Sequence, residues 1–208
     1  MRNALFIHIP KTAGFAVSRA LGLKVFKRGI NDRIKPEEIG EHFDGKTGQV
    51  TFRHALYHNL VDHGVFSEDF RYHSYKFCFS RNPYDRAVSH WAFTMKKHPD
   101  RLAPGTSFLE FTRVLGKRTD WIPQFTWVHG VNFNYIGRFE TLEDDIKKIG
   151  KDIGVEVKEI PVMNTSKHGH YSTYYCDESR ERVDKYYHVD FKMFGYQQEI
   201  ALESQDAV

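Results

Sequence analysis

A lysine follows a short apolar run and a single proline in His8-Ile9-Pro10-Lys11-Thr12-Ala13-Gly14. Leu5–Ile9 reads as a buried strand, and Gly14 to Leu23 as a helix carrying Phe15, Val17, Ala20 and Leu21. The segment between them is then a strand-to-helix junction. First-turn amides of a helix lack intrahelical partners, and with the helix dipole they favour an anion. Lys11 adds a mobile positive charge that can follow a phosphate oxygen. Thr12 adds a hydroxyl, and the small Ala13 and Gly14 let a ligand approach the backbone. A solvated lysine is the plain alternative, but a cation at a helix start opposes the dipole. No glycine precedes the lysine as GxxxxGK[ST] requires, yet the shared Lys-Thr keeps a nucleotide kinase in competition.

A second group separates these readings. Ser80-Arg81-Asn82-Pro83-Tyr84-Asp85-Arg86-Ala87-Val88-Ser89 places an arginine at a predicted strand end and a serine two helical turns later. A guanidinium grips phosphate bidentately, and a serine hydroxyl adds a hydrogen bond. Alone, Arg81 could be an ion-pair residue and Ser89 a surface serine. Together, the two segments resemble the PAPS-dependent sulfotransferases, especially the carbohydrate O-sulfotransferases, which carry an HxPKTAG-like loop and an RxPxxRxxS-like motif in this order. Looser likeness covers Tyr135–Glu140, Asn164–Lys167 and Asp190–Tyr196, so it spans nearly the whole chain.

The resemblance implies a donor, 3′-phosphoadenylyl sulfate (PAPS), that leaves as adenosine 3′,5′-bisphosphate. It places the 5′-phosphosulfate on Lys11, Thr12, Ala13, Gly14, Phe15 and Ala16, and the 3′-phosphate on Arg81 and Ser89. Ser166 and Lys167 match a late loop that closes over the nucleotide, although such lysines are often merely solvated. Phe15-Ala16 depart from the family, where a small hydroxyl residue commonly follows the loop. Sulfuryl transfer needs an in-line acceptor oxygen, a cation for the leaving phosphate, and a base. Lys11 suits the second role. Among twelve histidines, His54 in Thr51-Phe52-Arg53-His54 suits the third. It follows a predicted strand, and its position resembles the family's base; His58 is the runner-up. The chemistry demands no metal, and no metal-ligand set stands out.

The expected acceptor is a carbohydrate hydroxyl, with a small alcohol, phenol or lipid as the alternative. Trp121, Gln124, Trp127 and His129 could stack on a sugar or simply anchor a loop, the latter being slightly favoured. Arg113, Lys117 and Arg118 could attract an acidic acceptor or form a solvated face. An ATP-dependent P-loop kinase would need a magnesium carboxylate, and none follows a strand in the expected context.

These residues need elements to hold them. Expected strands are Leu5–Ile9, Gln49–Phe52, Tyr75–Ser80 and Asn134–Gly137. Expected helices are Gly14–Leu23, Pro36–Phe43, a helix capped by Asn82 and running to Lys97, Ser107–Leu115, one from Thr141 striped by Leu142, Ile146, Ile149 and Ile153, and Glu178–Tyr187. Lys117–Gly130 reads as irregular. Alternation of strands and helices gives an α/β class: one domain over 1–208, a mainly parallel central sheet flanked by helices, with the P-loop-like sulfotransferase fold implied by the resemblance. In such sheets ligands bind beyond the carboxyl ends of strands, where Lys11 and Arg81 fall.

A net charge of +3 over 208 residues gives no broad basic face for nucleic acid. The two cysteines have no CxxC spacing, so a zinc site or disulfide framework is not expected. The apolar start is too short for a signal peptide or membrane span, so a soluble, cytoplasmic protein without a membrane partner is expected.

Overall fold

The structure is a computed structural model, and it describes residues 2–26, 43–118, 121–157, 159–160 and 169–198. The expected helix Pro36–Phe43 lies almost wholly outside these residues. The chain divides into two compact units, Met1–Ser80 with Thr126–Met163, and Arg81–Phe125 with Asn164–Val208.

The first unit holds the sheet. Its strands are β1 (Ala4–His8), β2 (Lys24–Phe26), β3 (Gln49–Arg53), β4 (Tyr75–Ser80) and β5 (Tyr135–Arg138). They run in the order β2-β3-β1-β4-β5, and every pairing is parallel. β1 and β4 are buried at every position, as strands at the centre of a two-sided parallel sheet must be. Alternate side chains face opposite layers. Phe6, Phe77 and Phe79 pack with Val17 and Ala20 of α1 (Gly14–Ala20) and with Ile146, Ile149 and Ile153 of α7 (Leu142–Ile153). On the other face an aromatic cluster joins Phe52 to Phe26, Phe43 and Phe66, and Phe66 to Phe70 of α3 (Glu68–His73). A short α2 (Tyr57–Asp62) buries Tyr57 and Leu60.

All four expected strands form, shifted by no more than a residue at most ends. The expected first helix ends early, at Ala20. Gly22 turns left-handed (φ 61°), and Leu23 N–H closes back on the Ser18 carbonyl at 2.9 Å, which satisfies the last turn. This frees Lys24–Phe26 to pair as the edge strand β2, which no periodicity signals in so short a segment.

The second unit is helical. In α4 (Pro83–Lys97) the Asn82 side chain accepts from Tyr84 N–H at 2.9 Å, Pro83 fills the first turn and Asp85 faces the positive dipole end, as expected. α5 (Phe108–Thr112) starts in a full capping box between Ser107 and Glu110, but it stops at Thr112 rather than Leu115. α6 (Phe125–Val128), one turn within the segment read as irregular, begins on the last residue of the 81–125 stretch and belongs otherwise to the first unit. α8 (Asp177–Tyr186) matches the expected last helix, and α9 (His188–Phe194) follows it. Tyr84, Val88, Phe108, Phe111, Trp121, Val183, Tyr187 and Phe191 form this unit's core. Among the described residues, no helix is long and apolar enough to cross a membrane.

Candidate active site

The Lys11 segment connects β1 to α1, as the sequence implies. Among the described residues, only three other than glycine hold a left-handed backbone: Lys11 (φ 69°), Ala13 (φ 62°) and His54 (φ 59°). Such a conformation costs a residue with a Cβ about 1–2 kcal/mol, and it persists where surrounding structure enforces it, commonly at functional sites. All three fall on segments that the sequence assigns to chemistry. Thr12 is fully buried, and its hydroxyl donates to the Ile9 carbonyl at 2.9 Å, so its side chain fixes the loop's shape. Lys11 and Ala13 are half-buried, Ala16 is buried and Phe15 is exposed. The Arg53 guanidinium lies 4.3 Å above the Phe15 ring, a cation–π contact that holds the arginine beside the loop.

Gly14 also packs closely against a neighbouring ring. A Cβ built on it would lie 1.9 Å from His8 Nε2. The glycine therefore makes room for the imidazole of His8, the last residue of β1. That ring stacks on Phe6, meets Phe15 edge-on at 6.2 Å and lies 4.5 Å from the ring of His54. Burial first, then the nearby His54 and Arg53, push the His8 pKa well below the usual imidazole range. His8 is therefore neutral at physiological pH. Its Nδ1 is buried with no hydrogen-bond partner among the described residues.

β1 and β3 are neighbours with His8 opposite Arg53, so the turn after β3 delivers His54 to the end of β1. His54 Nδ1 lies 3.3 Å from the His8 carbonyl oxygen. A carbonyl only accepts, so this contact puts the imidazole proton on Nδ1 and the basic lone pair on Nε2. The His54 carbonyl in turn accepts from Trp127 Nε1 at 3.2 Å, which pins the strained residue from behind. His58 is exposed on α2. The sequence points to His54 but gives no part to His8; the 4.5 Å ring contact shows the pair.

In the second unit, Arg81 is 7% exposed, and its Nε donates to Asp85 Oδ2 at 2.8 Å. Gln124 clamps its backbone from both sides, accepting from the Arg81 N–H and donating to the Arg81 carbonyl, each at 2.9 Å. Asp190 holds Gln124 and Phe125 through their N–H groups at 2.7 and 2.9 Å. Burial, opposed by Arg86 and these hydrogen bonds, raises the Asp190 pKa. Ser89 lies one turn beyond Asp85 on α4 and is 1% exposed. Ser166 and Lys167 lie outside the described residues.

The acceptor candidates in 117–130 resolve toward structure. Trp121, Gln124 and Trp127 are buried, and Gln124 and Trp127 use their polar groups on backbone. His129 is exposed. Arg113 forms an ion pair with Glu178 at 3.0 Å, on the surface.

Comparison with known proteins adds the family. The Sulfotransferase family profile matches residues 2–197. No curated protein matches the chain in sequence. Among solved structures, mouse sulfotransferase SULT7A1 complexed with PAP shares the fold with a TM-score of 0.63 at 13% identity, over 92% of this chain and 84% of that one. A sulfotransferase from Alicyclobacillus acidocaldarius shares it with a TM-score of 0.58 at 14% identity, over 97% and 98% of the two chains. The parallel sheet flanked by helices is thus the sulfotransferase fold, and the chain belongs to the sulfotransferase family.

Proposed function

We propose that the protein transfers the sulfuryl group of PAPS to a carbohydrate hydroxyl. The observation that carries this reading is the His54 imidazole, whose Nδ1–H the His8 carbonyl accepts at the end of β1, the strand that leads into the Lys11 segment. The family membership and the PAP complex of SULT7A1 support the donor. The motif likeness to carbohydrate O-sulfotransferases supports the acceptor class.

In this reading the acceptor oxygen approaches sulfur in line with the bridging oxygen of the phosphosulfate. The oxygen–sulfur bond forms as the bridging bond breaks. The acceptor proton passes to His54 Nε2, and the leaving phosphate oxygen gains charge that Lys11 stabilises. Thr12 shapes the loop, and Ala13 through Ala16 present backbone N–H groups to the 5′-phosphosulfate. The motif likeness assigns Arg81, whose Nε is held by Asp85, and Ser89 to the 3′-phosphate, and Ser166 and Lys167 to nucleotide contact. His8 orients His54 and, being neutral, adds no charge that would compete for the proton.

The test is transfer of labelled sulfate from PAPS to a panel of saccharides and simple alcohols. His54→Ala is expected to lower turnover about 100- to 10,000-fold, the usual range for a lost general base, with donor affinity retained. Turnover near that of the wild type would remove His54 from the mechanism. Transfer to phenols or alkyl alcohols in preference to saccharides would reassign the acceptor.

A further inference from the structure

The first unit carries a polar cavity lined in part by residues at or just before the amino ends of β1, β4 and β5. Its volume is about 340 Å³, and Arg2, Tyr57, Arg71, Ser74, Lys76 and Asn134 are among the residues lining it. Lys76 is the unusual member. It sits in the central strand β4, paired with Leu5, and is only 4% exposed. One of its three ammonium hydrogens goes to the Ser74 carbonyl at 3.2 Å. Ser74 Oγ is itself buried with no hydrogen-bond partner among the described residues. Asn134 accepts the Lys76 backbone N–H at 2.8 Å, which leaves its amide NH₂ to donate.

Nothing in the lining neutralises this charge. The cavity lining contains arginines, a lysine and a histidine but no carboxylate among the described residues. Asp69 is engaged by His73, and Asp152 by Tyr75 and Lys148. Burial lowers the Lys76 pKa, and the two charges acting on it, Arg2 and Arg71, push it further the same way. A buried ammonium facing two guanidiniums is costly alone and favourable around an anion. Arg2 and Arg71 are anchored over Tyr75 and Tyr72, so the cations are held near the cavity mouth.

We propose that this cavity is a second anion site, built for a tetrahedral oxyanion, free or as a monoester. Lys76 and the hydroxyl of Ser74 form its floor, Asn134 donates from one side, and Arg2 and Arg71 close its rim. The cavity exceeds the size of a single oxyanion, so an ester's organic part has room beside Tyr57.

Calorimetric titration of the full chain with inorganic phosphate, at fixed ionic strength and in the Lys11→Ala background, tests the site apart from the donor loop. One phosphate per chain is expected to bind. Arg71→Ala, an exposed change that leaves the core intact, is expected to weaken it about tenfold, the worth of one charge-assisted hydrogen bond. Lys76→Gln should do at least the same, with its fold checked by circular dichroism. Phenyl phosphate binding more tightly than inorganic phosphate would identify an ester as the occupant, and equal affinity would identify the free ion. Loss of all phosphate binding in Lys11→Ala, or binding unmoved by Arg71→Ala, would overturn the proposal.

Discussion

His8 and His54 illustrate how two residues of one type acquire different chemistry. His54 keeps a lone pair on Nε2 because the His8 carbonyl accepts a hydrogen bond from Nδ1–H and so holds the proton there. His8 is buried against Phe6 and Gly14 and kept neutral. This has a consequence for stability. The unfolded chain protonates His8 near the ordinary value of 6.5, whereas the folded chain resists protonation until well below it. The unfolded state therefore binds more protons in that window. The His8 contribution is complete above about pH 6.5 and is lost as pH falls toward the folded value. His8→Gln should flatten the decline in urea stability between about pH 7 and pH 5. An unchanged pH slope would count against the neutral, buried His8. Gly14→Ala should drive a Cβ into the His8 ring, costing about 1–3 kcal/mol of stability and lowering turnover together, as read by denaturation and sulfate transfer. Wild-type values for both would show that the imidazole has room to move. Lys11 and His54 are candidates the sequence can nominate, through residue type, flanking strands and the motif likeness. His8 is not, because its part depends on a ring contact with His54 that only the pairing of β1 and β3 creates.

At the level of elements, the pieces with an apolar run, a periodic stripe or a cap were readable, and those without such a signal were not. The stripe of Leu142, Ile146, Ile149 and Ile153 fixes α7, and the Asn82 cap with Pro83 fixes the start of α4. β2 spans three residues and α9 seven, too few for a period to emerge, and tertiary pairing decides them. Gln124 was ambiguous for a related reason: an amide that could have faced a sugar instead spans the Arg81 backbone. The link from Asp190 on α9 through Gln124 to Arg81 makes a distant helix part of the arginine's support. Asp190→Ala would leave two buried N–H groups without acceptors. It should cost about 2–5 kcal/mol in stability and weaken donor binding more than it changes turnover at saturating donor. Donor affinity equal to the wild type in a folded Asp190→Ala variant would separate Asp190 from the Arg81 site.

For the molecule as a whole, each compact unit has its own core. Within the first, the parallel sheet sorts chemistry by strand direction. Lys11 and His54 follow the carboxyl ends of adjacent strands β1 and β3, while the Lys76 cavity draws much of its lining from the amino ends of β1, β4 and β5. Alternation of strands and helices was enough to predict the first arrangement. The second was hidden, because a lysine inside an aromatic strand gives no sign of facing a cavity rather than a carboxylate. The most direct test of the central claim is thermal unfolding with adenosine 3′,5′-bisphosphate set against ATP with magnesium. A ligand at about one hundred times its Kd stabilises the folded state by about 2.7 kcal/mol. The bisphosphate is expected to raise the Tm of the wild type well above ATP with magnesium, and to raise that of Lys11→Ala much less. A larger shift with ATP and magnesium, or a bisphosphate shift indifferent to Lys11, would contradict the account.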